Sequence, residues 1–163
     1  MVRLLMTEID LWEKYHYESK QTICVIGVLI LATKLCQADG HFSDREENEI
    51  LKIIPHNPRQ RETLKEIIAE ACIDTNPITY HAINLKKLLK EDQPDFLEFI
   101  IAVLYRLAHS DNLYSQSEDE DIREVSKIFG VKRDLSDNCK DLFSNIFLKI
   151  TNLIKKKTEK INA

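Results

Sequence analysis

The chain has 163 residues and a mass of 19.0 kDa, with three Gly and four Pro. That is about 4% breakers where average usage gives roughly 12%, which excludes a turn-rich β-sandwich, a collagen and a flexible linker. A hydrophobic fraction of 44% supports a real core, and a formal charge of -4 argues against a nucleic-acid binder, which carries a basic excess on one face.

Helix signals recur along the whole length, and almost nothing alternates with a period of two. Thr7 is expected to cap a first helix carrying Ile9, Leu11 and Trp12. The acidic Glu8 arrives too early for a signal peptide, so a cytoplasmic chain with reduced thiols is expected. A second helix runs from about Ser19 to Ala38 around the apolar stretch Ile23 to Ala32. That stretch is far short of the ~20 residues that cross a bilayer, and apolarity on every side marks the centre of a bundle. Ser43 opens a third helix that ends near Pro55 to Pro58. Asn57-Pro58 reads as N-cap then N1 of a fourth, and Asn76-Pro77 repeats the signature for a fifth. Asp92 to Pro94 starts a sixth, dense in Phe96, Leu97, Phe99, Ile100, Val103, Leu104 and Leu107, and also central. Ser115 opens a seventh that Gly130 closes at C′, and an eighth covers Ser136 to Lys157. Its closing Lys155-Lys156-Lys157 suits a solvated helix C-terminus, with a peripheral membrane patch the weaker reading. The expectation is an all-α fold, a single bundle of seven to eight helices over residues 1–163.

The four cysteines, Cys24, Cys36, Cys72 and Cys139, form no Cys-x-x-Cys pair. They are expected to be buried, reduced core residues without metal.

An offset of 72 residues superposes Leu29 to Ile54 on Ile101 to Ser126 with five identities in 26 positions. These are Leu35/Leu107, Asp39/Asp111, Ser43/Ser115, Glu46/Glu118 and Ile50/Ile122. The duplication divides the chain into halves, about 23–56 and 95–131, related by an approximate two-fold axis. Gly40 and Asn112 tolerate the left-handed conformation that ends a helix. Ser43-x-x-Glu46 and Ser115-x-x-Glu118 are capping boxes, while Phe42 and Tyr114 plug the corners into the core.

Capping does not account for Asp39 and Asp111. Each carboxylate lies at a helix C-terminus, where the backbone already presents partial negative charge. A divalent cation held by Asp39, Glu46, Asp111 and Glu118 would remove the conflict, and the residues alone leave cation binding and pure capping as alternatives. His41 and His109 lie beside the motif and rank below the carboxylates; they would shift the preference toward zinc.

Other chemistries fail on spacing. As an EF-hand, the first corner has Asp44 where Gly is required and Ile50 where Glu is required. A single Glu-x-x-His, Glu13 to His16, is not a di-iron site. Three glycines make no phosphate loop, and no histidine is fixed by sequence beside Ser43 or Ser115 for a hydrolase triad.

The stretch Ala38-Asp39-Gly40-His41-Phe42-Ser43-Asp44-Arg45-Glu46 resembles the corner motif of the TerB-like family. That family comprises tellurite-resistance TerB proteins and the N-terminal domain of membrane-anchored DnaJ-type co-chaperones. The second copy departs from the pattern, with Ser110 before Asp111 and Asn112 in place of Gly, but keeps its Asp and Glu. The likeness covers roughly Ile23 to Val131. It implies an all-helical bundle, a metal site at the acidic corners, and a role in tellurite or general stress resistance.

The expectation is therefore a non-enzymatic protein binding a divalent ion (calcium, magnesium, manganese or zinc), or a partner bridged by one. The main rival is an interaction module whose acidic face meets a basic partner without metal. A metal-dependent hydrolase is the third and weakest reading. Tellurium oxyanions are negative and should not bind an acidic site directly. Partner, metal identity and oligomeric state carry no sequence signal.

Overall fold

The computed structural model describes residues 10–39, 42–54, 56–89, 94–109 and 116–131. These are 85% helical with no strand, as the periodicity requires. Seven α-helices follow in order: α1 (Leu11–Tyr15), α2 (Lys20–Cys36), α3 (Asp44–Ile53), α4 (Pro58–Ile73), α5 (Ile78–Leu89), α6 (Pro94–His109) and α7 (Gln116–Phe129). A 3-10 turn, Gln37–Asp39, extends α2. Thr7, the eighth helix, Cys139 and Lys155 to Lys157 lie outside the described residues. No described helix is long and apolar enough to cross a membrane.

Local chemistry places most boundaries. Asp10 caps α1, its carboxylate accepting from Trp12 N–H at 2.8 Å. Ser19 caps α2 by accepting from Thr22 N–H at 3.2 Å. Asn57 caps α4 with Pro58 following at N1, and Gln60 returns the bond to complete a capping box. Gly130, at φ +70, ends α7: Val131 N–H reaches Ser126 O at 3.0 Å and Gly130 N–H reaches Lys127 O at 3.2 Å. Those two bonds make a Schellman motif, with Gly at C′.

The fifth helix starts differently from the Asn76-Pro77 expectation. It begins at Ile78, and Asn76 N–H donates instead to Asp74 Oδ1 at 2.7 Å. The Asx turn at Asp74 captures the amide two residues on, so Asn76 is drawn into the turn.

Eleven of the 17 residues of α2 are buried, on every side of the helix. It packs against α3, α4, α5, α6 and α7, which makes it the hub. In α6, Phe96, Leu97, Ile100, Ile101, Val103 and Leu104 are buried, so both helices expected at the centre are there. One contiguous cluster of buried side chains draws on all seven helices.

α2 meets both α6 and α7, and α6 meets α3. Leu35 and Leu107 are both buried, as are Ile50 and Ile122.

Cys24 is 0% exposed, and burial pushes its thiol far up; Cys36 and Cys72 are half-buried, so the burial expectation holds fully only at Cys24. All three are free thiols.

Candidate functional site

The first acidic corner is built from the end of α2 to the start of α3. Gln37 caps α2 in helical geometry, and its side-chain amide donates to Cys72 O at 3.3 Å, tying the corner to α4. The 3-10 turn then carries the chain to Asp39. Phe42 is half-buried against the core, the plug the motif called for. Ser43 Oγ accepts from Glu46 N–H at 3.2 Å, and Glu46 Oε1 accepts from Ser43 N–H at 3.0 Å. The capping box at Ser43-x-x-Glu46 is therefore formed. Ser43 Oγ adds a third bond to the same Oε1 at 3.1 Å, so Glu46 Oε2 has no partner among the described residues.

The 3-10 turn packs directly against α7. Glu118, half-buried in the first turn of α7, begins an unbroken acidic run, Glu118-Asp119-Glu120-Asp121. The first corner and the helix of the second corner are thus neighbours. Burial pushes the Asp121 carboxyl above its usual range, and the adjacent Glu120 adds to the rise. On the same helix Arg123 pairs with Asp119 at 3.1 Å and Lys127 lies 3.7 Å from Glu124.

The remaining ligand candidates are less fully placed. Asp39 closes the 3-10 turn and His109 ends α6, but neither side chain is among those described. His41 and Asp111 lie outside the described residues, as do Gly40, Asn112, Tyr114 and Ser115. Among the described residues, no three His, Cys, Asp or Glu side chains converge as a metal-holding group.

A second polar cluster, unforeseen from sequence, lies where α1 crosses the α4–α5 hairpin. His81 is 0% exposed. Trp12 Nε1–H donates to His81 Nδ1 at 3.0 Å, and His81 Nε2 lies 3.0 Å from Asp74 Oδ1. Indole can only donate, so Nδ1 is the bare nitrogen and the ring proton sits on Nε2, facing Asp74. Lys34 completes the set: its ammonium donates to the Asp74 carbonyl and lies 3.4 Å from Oδ1. Burial holds His81 below its ordinary 6.5 against the pull of Asp74. Burial also pushes Asp74 upward, but the Asn76 amide, His81 and Lys34 outweigh it and hold the carboxyl below 3.8. The sequence signal was the stripe Ile78, His81, Ala82, Leu85, Leu89, all buried, which puts a histidine on the apolar face of α5.

No curated protein and no solved structure matches the chain. Among protein families, the one described as tellurite resistance protein TerB matches residues 25–141, from the second turn of α2 to beyond α7. The all-helical bundle, the duplicated acidic corner and that match over most of the length agree: the chain belongs to the tellurite resistance protein TerB family.

Proposed function

We propose that the chain is a non-enzymatic, cytoplasmic tellurite- or stress-resistance protein that binds a divalent cation at its two acidic corners. Asp39 and Glu46 would serve from one corner and Asp111 and Glu118 from the other, with His41 and His109 secondary. The observation that carries the reading is the packing of the Gln37–Asp39 turn on α7, whose acidic run begins at Glu118. The donors are hard carboxylate oxygens, which suit calcium, magnesium or manganese better than zinc. Glu46 can contribute Oε2 without giving up its capping bonds on Oε1. The cation would neutralise the acidic face; tellurium oxyanions would still be repelled by the bare carboxylates.

A rival reading is favoured by one observation: both bonds of the Ser43–Glu46 capping box are formed, so helix capping by itself accounts for these two residues. The acidic face would then dock a basic partner directly. Thermal melting in chelator and then in each ion decides between them. A ligand at a hundred times its dissociation constant adds about 2.7 kcal/mol to stability, so a clear upward shift is expected for at least one ion. A melting temperature indifferent to chelator and to all four ions rejects the metal site in favour of the docking module.

A further inference from the structure

The helix α1 precedes the residues matched by the family and lies across the α4–α5 hairpin on few supports. Only Leu11 and Trp12 of α1 are buried, while Glu13, Lys14, His16, Tyr17 and Glu18 are exposed. Among the described residues its polar ties reach that hairpin: Trp12 to His81, Asp10 to the Tyr80 hydroxyl, and Lys14 and Tyr15 to Glu70 at 2.7 and 3.0 Å. The central tie is the one that needs a neutral imidazole as its acceptor.

We propose that α1 is an acid-released strap: protonation of His81 on Nδ1 removes the acceptor for Trp12 Nε1–H and frees α1 from the hairpin while α2 to α7 stay folded. A doubly protonated ring has two donors and no acceptor, and it would face the indole N–H donor to donor. The charged groups facing His81 are Asp10 from the cap of α1, Asp74 from the α4–α5 turn and Lys34 from α2, with the Tyr80 ring edge-on from its own helix. Asp74 welcomes the imidazolium, and Lys34 opposes it. The ring therefore charges most readily when its Trp12 side opens to water. The docked state binds the proton less readily than the released one, so docking is fully favourable at higher pH and weakens as pH falls toward the lowered docked value. Asp74, held below 3.8, keeps its charge across that window. Release would uncover the α4–α5 face, with the family bundle behind it intact.

Trp12 is the single tryptophan, so indole emission reports α1 alone. The full chain is titrated from about pH 8 to about pH 4.5, following emission, acrylamide quenching and far-UV ellipticity. The expected result is a red shift and stronger quenching as pH falls, while most ellipticity is retained. The change should vanish in His81→Gln and persist in His16→Gln, which removes the imidazole at the end of α1. Hydrogen exchange on the unmodified chain provides a check that needs no variant. After correction for intrinsic rates, amides of residues 12–16 should exchange about tenfold faster at pH 5 than at pH 7 while α2 keeps its protection. Flat emission, an identical transition in His81→Gln, loss of the transition in His16→Gln, or loss of protection in α2 together with α1 would each overturn the strap.

Discussion

Gly27 on α2 sits so close beneath Leu85 of α5 that a Cβ at position 27 would lie 2.5 Å from Leu85 Cδ2 and 2.8 Å from Cδ1. Leu85 is 0% exposed, so its methyls cannot swing into solvent to make room. Alanine would gain up to about 1 kcal/mol in helix propensity, but overpacking a filled core costs about 1–3 kcal/mol. Gly27→Ala is therefore expected to lower stability by about 1 kcal/mol in denaturant titration. In a Leu85→Ala background the same substitution should turn neutral or stabilising, because the obstructing methyls are gone. Equal effects in both backgrounds would remove the contact as the cause.

Lys34 and Asp74 predict an asymmetry. Their side chains are only 9% and 12% exposed. Asp74→Asn leaves the Lys34 ammonium nearly buried with a backbone carbonyl as its remaining partner, and removing one member of a buried pair is the costly direction. A loss of about 2 kcal/mol is expected, given the residual carbonyl bond. Lys34→Met leaves Asp74 with His81 and the Asn76 amide, and should cost less, about 1 kcal/mol. Because Asp74 is held below 3.8, its contribution is present above that value and lost as pH falls through the lower folded value. The difference between the unmodified chain and Asp74→Asn should thus narrow only at strongly acid pH. Larger loss in Lys34→Met than in Asp74→Asn would contradict the pairing described.

The end of α7 depends on one backbone conformation. Gly130 has φ +70, and nothing lies within 4 Å of where its Cβ would be. The cost of Gly130→Ala is then purely conformational, about 1 kcal/mol, with Gly130→Asn smaller because Asn enters the left-handed region more easily. Chemical denaturation of the two variants checks the order Gly, Asn, Ala.

What was legible in the sequence was what is local. The apolar run of α2, the Ser43-x-x-Glu46 box, Asn57-Pro58 and Gly130 each act within a few residues, and each does what its residue types dictate. The duplicated motif also led to the family over residues 25–141. The polar cluster escaped because its members are brought together only by packing: Trp12 and His81 are 69 positions apart, and Lys34 and Asp74 are 40 apart. The start of α5 shifted for a local reason instead: Asp74 draws in Asn76 through its backbone N–H at 2.7 Å and its side-chain amide at 3.2 Å. Gly27 belongs with the residues that packing brings together, since its role rests on the packing of Leu85 of α5 against it.

The first corner separates capping from ligation within a single motif. Ser43 contributes the N-cap oxygen, and Glu46 returns the bond through Oε1. Ser43→Ala removes the cap and should cost about 1 kcal/mol whether or not an ion is present. Glu46→Gln keeps an acceptor oxygen for Ser43 N–H, because Gln also serves in a capping box, so its cost in chelator should be only a few tenths of a kcal/mol. The order reverses when the ion response is read. A neutral amide is a poor ligand for a hard cation, so Glu46→Gln should lose most of the rise in melting temperature that calcium, magnesium or manganese produces. Ser43→Ala should keep that rise, starting from a lower baseline. Melting curves of the three proteins, with chelator and with each ion, give both readings in one experiment. If Glu46→Gln retains the full ion response, Glu46 is a capping residue alone and the ligand set must be sought in the other carboxylates. If the three curves shift in parallel with no ion effect, the acidic corners serve the fold and its partners without metal.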